Sequence, residues 1–339
     1  MSTRPAQHTG VAIEEVTSLR ERSFLQGVIA SQPFWVTVAL LIICLVMSWL
    51  QPEAFASTDN LFNITRNFAF IGIMALGMNA VILTGGIDLS VGSVMGVVGV
   101  VTGLILQAQQ HWALAILGGL VAGVIAGGVN GFLVAYVRLP SFVVTLGMLS
   151  VARSLAIVLS QNKMIYEFGP YGDTFNAIGG GDILGVANPV WLLLLMTLVF
   201  AFIFNFTPWG RYLHAIGGNE NAARLTGVPV DRVKFMAYVV SGLTAAIASV
   251  MIVGWQGSAI NALGQCYELR VIASTVIGGA NLIGGEGGAY GALVGAALIE
   301  VIRNSLLMAG VDANWQGTFV GVFIVLAVLL ERIRRRTAG

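Results

Sequence analysis

The sequence predicts an all-α polytopic membrane protein with about ten transmembrane helices. Hydrophobic residues make up 57% of its 339 residues and charged residues only 10%, whereas soluble domains carry about 25% charged residues. The mean hydropathy is +0.86. The chain also contains 43 glycines, and glycine is common where membrane helices pack closely. Together these observations exclude an ordinary soluble domain.

Ten apolar segments are long enough to cross a hydrocarbon core of about 30 Å. They cover residues 34–50, 68–84, 91–107, 113–137, 142–160, 189–206, 236–254, 267–283, 288–310 and 316–330. The connections at 85–90 and 284–287 are very short. Two interpretations therefore stay open for 85–92 and 278–288, tight turns or parts of broken or re-entrant helices.

The polar residues before the first span predict a retained tail. A cleavable signal would place its apolar region nearer the start and follow it with a small-residue cleavage site, but the first apolar run begins only at Phe34. We expect residues 1–30 to form a cytoplasmic N-terminal tail and residues 31–335 to form a single transmembrane domain.

Lysine and arginine are concentrated on one side of the predicted topology. With both termini in the cytoplasm, that side holds 12 of the 17 basic residues, and the opposite side clearly holds Arg66 and Lys163. The 12 are Arg4, Arg20, Arg22, Arg138, Arg211, Arg224, Arg232, Lys234, Arg332, Arg334, Arg335 and Arg336. Because cytoplasmic loops are enriched in Lys and Arg, we expect both termini and loop 207–235 in the cytoplasm, and loop 161–188 outside.

Glycines recur every four residues near two of the predicted spans. They are Gly119, Gly123, Gly127 and Gly131 in the fourth span, and Gly287, Gly291 and Gly295 at the ninth. Small residues let membrane helices approach closely. We expect these faces to pack helices within one subunit, with a subunit interface or a smooth pore-lining face as the alternative.

Two glycine-rich connections resemble each other. Residues 85–92 and 278–285 share the pattern GG-x-[DN]-L-x-x-G. Glycines permit positive φ in tight turns, and Asp88 or Ser90 is a suitable cap for the helix that follows. A role for Asp88 in a solute pathway is the alternative.

Ionisable residues inside membrane spans face protein or water rather than lipid. Glu300 and Arg303 are three residues apart, the spacing of an ion pair within one helix. Arg153 has no such neighbour, so we expect it either to bond another helix or to line a wet cavity. The residues that we consider for a polar translocation path are Asn79, Asp88, Ser90, Asn130, Thr145 and Arg153. For Asn79, Asn130 and Thr145, hydrogen bonding between helices is the favoured alternative.

The sequence disfavours an ATP site on this chain. Lys163 and Lys234 are its only lysines, and neither lies in a P-loop motif. If ATP drives the protein, a separate polypeptide must bind it. Glu300 is the only acidic residue clearly inside a span, which disfavours a carrier driven by protons or sodium ions.

Neither catalysis nor metal binding is indicated. His8, His111 and His214 are isolated, and Cys44 and Cys266 lack metal-ligand or disulfide spacing. We therefore expect no catalytic residues, no metal and no cofactor on this chain. The net charge of +1 predicts no nucleic-acid surface.

The polar loop 207–235 is the largest polar connection with helix-forming residues. Gly217 and Gly218 precede Asn219, a good N-cap, and Glu220 follows where the helix dipole favours an acid. We expect a short helix with Ala222 and Ala223 exposed, ended by residues 226–229. Such a helix suits docking on a partner, and a solvated interfacial helix is the alternative.

Four regions of the chain resemble the permease subunits of ribose-type sugar ABC importers. They are residues 210–228 (GRYLHAIGGNENAARLTGV), residues 85–92 (GGIDLSVG), Tyr267-Glu268-Leu269 followed by the glycines of 278–285, and Trp315-Gln316. The resemblance runs from about residue 60 to residue 330. Cys266 stands where a small residue or glycine is common, and Arg270 stands where an acid often follows Tyr-Glu-Leu.

The resemblance implies an inner-membrane permease homodimer, a cytoplasmic ABC ATPase that binds ATP and magnesium, and a periplasmic sugar-binding protein. Residues 210–228 would contain the coupling helix. The implied ATPase contacts are Gly218, Asn219, Glu220, Ala222, Ala223, Arg224 and Gly227. Loops 161–188 and 255–268 would meet the binding protein.

From these features we expect an ATP-driven permease subunit, not itself an enzyme, for a monosaccharide or related polyol. An ion- or proton-coupled carrier acting alone is the first alternative. A passive channel or a membrane scaffold is the second.

Overall fold

The computed structural model describes residues 24–312 and residues 315, 317, 318, 321 and 322. The predicted tail up to residue 23, most of the predicted span 316–330 and the basic residues 332–336 lie outside the described part of the chain.

The described residues form helices joined by short connections. In chain order the helices are α1 (Phe24–Ala30), α2 (Gln32–Leu50), α3 (Pro52–Phe55), α4 (Thr58–Leu83), α5 (Val91–Gln107), α6 (Trp112–Ala135), α7 (Ser141–Leu159), α8 (Gly172–Gly180), α9 (Asn188–Phe206), α10 (Pro208–Gly218), α11 (Glu220–Leu225), α12 (Val230–Gln256), α13 (Tyr267–Ile277) and α14 (Ala289–Met308). A two-residue hairpin, β1 (Asp182–Ile183) and β2 (Val186–Ala187), lies between α8 and α9.

Seven of these helices are long and apolar enough to cross a membrane, and the 17-residue α5 is a shorter apolar helix. The all-α membrane architecture is therefore confirmed. Helix α4 begins at Thr58, ten residues before the predicted start at 68. Ser57 caps this helix by accepting the Asn60 amide hydrogen, so its polar first turns precede the apolar part that the hydropathy detects.

The eighth predicted span, 267–283, is wrong as a single helix. Helix α13 has 11 residues, about 16 Å at 1.5 Å per residue, which is too short to cross a membrane. Before it, an irregular segment runs along α5: Ala259 packs on Gly103, Leu263 on Gly99, and Gly264 against Gly92. Residues 257–277 therefore form a broken element, made of this irregular segment and the short helix α13.

Helix α12 lies at the centre of the described structure. It packs against α4, α5, α6 and α8, and most of its residues are buried. Helices α2, α6, α7 and α9 instead leave most of their apolar windows uncovered. Their free faces are available to lipid or to another subunit.

The glycine face of α6 packs directly on α12, so the prediction of packing within one subunit is confirmed. A Cβ atom added to Gly127 would lie 2.3 Å from the Tyr238 carbonyl oxygen, and one added to Gly123 would lie 2.5 Å from Ala246 Cβ. Gly131 meets the Phe235 carbonyl oxygen in the same way, whereas Gly119 lies closest to the Thr102 hydroxyl of α5 and more loosely against Val250. Only glycine permits this approach.

Two of the three glycines at the ninth predicted span also allow close helix packing. Gly291 packs on Gly278 and Gly295 on the Ser274 carbonyl, which brings α14 close to α13. Gly287 lies before α14 rather than on its face, and it contacts Asn79.

The predicted ion pair on this helix is confirmed. Arg303 Nε donates to Glu300 Oε2 at 2.8 Å, and a second nitrogen of Arg303 contacts Oε1. This pairing neutralises a buried carboxylate within one helix.

We expect Gly127→Ala to destabilise the protein far more than Gly128→Ala. The added methyl group at 127 collides with the α12 backbone, and overpacking of this kind costs about 1–3 kcal/mol. At Gly128 an added Cβ meets nothing within 4 Å, and alanine is the better helix former. Thermal unfolding in detergent, followed by fluorescence-detected gel filtration, measures the difference. Equal midpoints for the two variants would contradict the packing described here.

Candidate functional site

Loop 207–235 contains two helices, α10 and α11. Thr207 caps α10 by accepting the Gly210 amide hydrogen at 3.2 Å, with Pro208 in the first turn. Asn219 caps α11 by accepting the Ala222 amide hydrogen at 3.0 Å. The predicted α11 is confirmed. Helix α10 was not expected, although Thr207 followed by Pro208 is a recognisable helix start.

The two alanines of α11 face opposite ways. Ala222 is exposed, as expected, but Ala223 is only 4% exposed and packs into the hydrophobic core. The expectation that Ala223 is open to a partner is therefore wrong. A six-residue helix has one inner and one outer face, and Ala223 lies on the inner one.

Ion pairs hold α11 on the start of α12. Glu220 pairs with Lys234, and Arg224 pairs with Asp231 at 2.9 Å and with Glu220 at 3.4 Å. The Glu220–Lys234 and Arg224–Asp231 pairs join residues that are 14 and 7 positions apart in the sequence, whereas Glu220 and Arg224 are one helical turn apart. The charged groups therefore fix α11 against the membrane domain instead of all pointing to a partner.

The ion pairs shift the ionisation of Glu220. Partial burial opposes its charged form, but the hydrogen bond and charge of Lys234, followed by those of Arg224, hold the pKa of this carboxyl below its ordinary value of 4.5. A depressed pKa means that the pairing stabilises the folded protein above about pH 4.5 and is lost as the pH falls through the lowered value.

Leu225 is the functional candidate that sequence reasoning missed. It ends α11 and is 90% exposed. Gly218, Asn219, Ala222 and Gly227 are also exposed on this loop. An apolar side chain with this exposure, beside exposed small residues, makes this end of α11 a candidate contact for a partner. Its place at the last helical position was the available signal.

Helix α10 contacts the ends of two other elements at glycine. A Cβ atom added to Gly217 would lie 2.0 Å from the Leu83 carbonyl oxygen and 2.1 Å from the Gly285 nitrogen. The Gly285 amide donates to the Leu83 carbonyl at 3.0 Å, and His214 Nδ1 lies 2.9 Å from the Gly285 carbonyl oxygen. The helix before α11 is therefore tightly joined to α4 and to residues 278–288.

The two glycine-rich connections share a local structure. Asp88 Oδ1 accepts the Ser90 amide hydrogen, and Asn281 Oδ1 accepts the Ile283 amide hydrogen, both at 3.0 Å. These are Asx turns, which explains why the shared pattern has Asp or Asn at its fourth position. Gly85 lies against the Ile283 carbonyl, so the two connections meet.

Asp88, Ser90 and Asn130 come together with Ser241 in one buried network. The Ser90 hydroxyl donates to Asp88 Oδ1 at 2.6 Å, the Ser241 hydroxyl donates to Oδ2 at 2.8 Å, and Asn130 Nδ2 donates to Ser90 Oγ at 2.9 Å. All four residues are buried. Ser90 occupies the N-cap position of α5 without a side-chain capping bond. The cap interpretation therefore fails for Ser90, and Asp88 accepts the amide hydrogen of Ser90 itself rather than one from α5.

Two other candidates for the path lie apart from this network. Thr145 Oγ1 lies 2.9 Å from the Ser141 carbonyl oxygen and 3.3 Å from that of Ile87, beside the Asp88 turn. Asn79 is fully buried near Gly287 on the other side of α4, and its amide atoms have no hydrogen-bond partner in the described structure.

Arg153 finds its two close acceptors in a non-helical segment rather than on another helix, and it lines a cavity. Its guanidinium donates to the carbonyls of Asn261 at 2.6 Å and Leu263 at 3.0 Å, which belong to the irregular segment before α13. It also lines an open cavity with Glu268. Cys266 in this segment is exposed and has φ of +63°, a conformation that glycine adopts more easily. This geometry accounts for the glycine usual at that position.

A second cavity, of about 330 Å³, opens beside α11. Its lining includes Thr84, Gly85 and Gly86 before the Asp88 turn, Ser141 of α7, Tyr238 of α12, and the four ion-paired residues Glu220, Arg224, Asp231 and Lys234. This cavity therefore lies between the ion-paired residues of loop 207–235 and the segment that leads to the Asp88 network. No group of three His, Cys, Asp or Glu residues that could hold a metal ion occurs among the described residues.

The opposite end of the molecule presents an apolar hairpin tip. Ile183 and Leu184 are 57% and 90% exposed. Beside the end of α12, the Arg66 guanidinium stacks on Trp255 with 4.2 Å between the guanidinium carbon and the ring centre. The helix α8 in this loop packs its Gly179 on Gly254.

Residues 60–328 match the family described as "Branched-chain amino acid transport system / permease component". The chain is similar to ribose import permease protein RbsC of Escherichia coli (strain K12), with 37% identity over 295 residues that cover 87% of this chain and 92% of that protein. RbsC of Bacillus subtilis (strain 168) is 36% identical over 94% of this chain and 98% of its own length. Fructose import permease protein FrcC of Rhizobium meliloti is 33% identical over 93% of this chain and 89% of its own length.

These matches cover the same part of the chain that carries the sequence motifs. They confirm the resemblance to ribose-type permeases, and the chain belongs to this family of transport-system permease components.

Proposed function

We propose that the chain is the membrane-spanning permease subunit of an ATP-driven importer and forms the path for a monosaccharide or related polyol. Two copies form a homodimer, a cytoplasmic ABC ATPase docks on α11, and a periplasmic sugar-binding protein delivers the solute to the outer loops. Its relatives are named for ribose and fructose import, which supports both the solute class and the direction.

The position of α11 carries the proposal. Its outer side presents Leu225 and Ala222, and its charged side lines the cavity next to Gly85 and Gly86. A partner that moves α11 therefore changes the wall of a cavity that adjoins the buried network of Asp88. This arrangement suits the transfer of motion from an ATPase to a solute path.

The charge distribution supports the orientation. With both termini in the cytoplasm of the cell, 12 of 17 basic residues lie on the inner side, in agreement with the positive-inside rule. In this orientation the ion-paired α11 faces the cytoplasmic ATPase. The hairpin tip at Leu184 faces the periplasm and the binding protein.

The alternative, an ion-coupled carrier acting alone, makes a different prediction. Glu300, its expected carboxylate, is paired with Arg303. If the chain were such a carrier, reconstituted liposomes that contain only this chain would take up solute when an ion gradient is applied. Under the proposed function they take up solute only with the ATPase, ATP and binding protein present.

We expect Leu225→Asp to remove the ATPase from the complex. A buried apolar anchor typically contributes about 2 kcal/mol or more to an interface, so its loss weakens binding by about thirtyfold or more. Co-purification of the tagged permease with its ATPase measures this. The matched control is Leu184→Asp, at a leucine with the same 90% exposure on the outer hairpin.

Leu184→Asp should retain the ATPase and instead reduce stimulation of ATP hydrolysis by the binding protein. ATPase retention at the level of the unmodified chain in Leu225→Asp would contradict docking on α11.

We expect Glu220→Lys to detach α11 from α12, because the new ammonium group repels Lys234 and Arg224. Exposed pairs contribute about 0.2–1 kcal/mol each. Losing two of them and adding repulsion should lower ATP-dependent uptake about fivefold or more. Glu220→Lys combined with Lys234→Glu restores an opposite-charge pair and should recover part of the uptake. If the double variant is as defective as the single one, the pair does not position α11.

A further inference from the structure

The cavity beside Arg153 lies between α7 and the irregular segment before α13. Its volume is about 480 Å³, within the range of about 300–1,000 Å³ that holds small ligands. Its polar lining comes from Ser93, Arg153, Asn261, Gln265 and Glu268, with Cys266 beside them. None of these side chains belongs to the Asp88 network or lines the cavity at α11.

This cavity lies at membrane depth. Arg153 is 12 residues beyond Ser141 and 6 residues before Leu159, the two ends of the apolar helix α7. At a rise of 1.5 Å per residue it lies about 18 Å from the inner end and about 9 Å from the outer end. The site is therefore in the outer half of the membrane.

Charged side chains at this depth face protein or water, not lipid. Arg153 is held in place by the carbonyls of Asn261, Leu263 and, at 3.5 Å, Gly92. Glu268 lies near enough to attract it electrostatically. The cavity thus contains one fixed positive group and one negative group, which together favour neither a cation nor an anion.

The lining chemistry favours a neutral solute with several hydroxyl groups. Arg153 and the Asn261 amide nitrogen already donate within the protein, Arg153 to carbonyls and Asn261 to Asn162 at 3.0 Å and Ser160 at 3.3 Å. The lining adds the Ser93 hydroxyl, the Gln265 amide and the Glu268 carboxylate, which together offer donors and acceptors. A hydroxyl group both donates and accepts, so a polyol can bond all three, whereas an apolar solute would bond none of them.

One short segment of the chain connects this cavity to the inner side of the molecule. Ser93 lines the cavity and Gly92 accepts a hydrogen bond from Arg153, and both follow Ser90 and Asp88 of the buried network. Gly86, earlier in the same segment, lines the cavity beside α11. Residues 84–93 therefore run from the cavity beside α11, through the buried Asp88 network, to the cavity beside Arg153.

We propose that the cavity lined by Ser93, Arg153, Asn261, Gln265 and Glu268 binds the hydroxyl groups of the transported solute on its way across the membrane. This inference rests on the proposed function. It assigns the solute a site in the outer half of the membrane, with the Asp88 network closed beneath it.

Cys266 provides a direct probe of this site. In a Cys44→Ala background, proteoliposomes of the complete transporter are treated with a negatively charged, membrane-impermeant methanethiosulfonate. Cys266 reacts, and the label reduces sugar uptake about tenfold or more while ATP hydrolysis persists. Reaction only with a lipid-permeable maleimide, or labelling that leaves uptake unchanged, overturns the site. A variant that also carries Cys266→Ala shows background labelling.

Two glutamines provide a matched pair of substitutions. Gln265→Leu removes a donor and an acceptor from the cavity, whereas Gln107→Leu changes an exposed glutamine at the outer end of α5, outside the loops expected to meet the binding protein. Gln265→Leu and Glu268→Gln should each lower ATP-dependent uptake about tenfold, because a lost hydrogen bond to a polar or charged group has this effect. Both should co-purify with the ATPase. Gln107→Leu should transport at the rate of the unmodified protein.

The outcomes separate the two proposals. If the unmodified complex takes up monosaccharides with ATP and the Gln265 and Glu268 variants do so equally well, the site is wrong and the proposed function stands. If the unmodified complex takes up no monosaccharide or polyol with ATP, the proposed function is wrong and the solute site fails with it.

Discussion

The backbone of α6 lies directly against the backbone of α12 at Gly123, Gly127 and Gly131, and the remaining architecture depends on this contact. Lipid is as apolar as the helix surfaces, so burial of leucine does little to hold membrane helices together. Close packing of helix backbones at glycine holds them together instead. The same solution recurs where α14 meets α13 at Gly291 and Gly295, and where α10 meets α4 at Gly217. With α12 fixed in this way, its polar residues reach defined partners on α5 and on α11.

Ionisable groups inside the domain follow a second constraint, since an unpaired charge is costly there. Glu300 is neutralised by Arg303 within one helix. Asp88 receives three hydrogen bonds from two serines. Arg153 bonds backbone carbonyls that are free because residues 257–266 are not helical. Arg153 and Glu268 line one cavity, and the charged residues of α11 and the start of α12 line another, which links charge placement to the proposed path.

The cavities and the charged loop suggest one mechanical unit. Helix α11 is held to α12 by Lys234 and Asp231, and α10 is held to α4 and to residues 278–288 by glycine contacts. Under the proposed function, a force on α11 acts on the ends of the elements that carry the two Asx turns. The Asp88 network would then be the barrier that movement of these turns opens and closes.

The sequence by itself determined the membrane class, the position of most spans and the capped helix α11, because hydropathy and capping act over a few consecutive residues. The family also followed from local motifs. The glycine spacing on α6 predicted close packing, because four-residue periodicity places these glycines on one side. In contrast, the break before α13 depends on contacts with Gly92, Gly99 and Gly103 of a distant helix. Only the tertiary structure decided that Ala223 is buried and Leu225 exposed, that Ser90 bonds Asp88 instead of capping α5, and that Asn79 lies apart from Asp88, Ser90 and Asn130. The physical reason is that exposure and hydrogen-bond partners depend on which helices lie nearby, and that information is not local in the sequence.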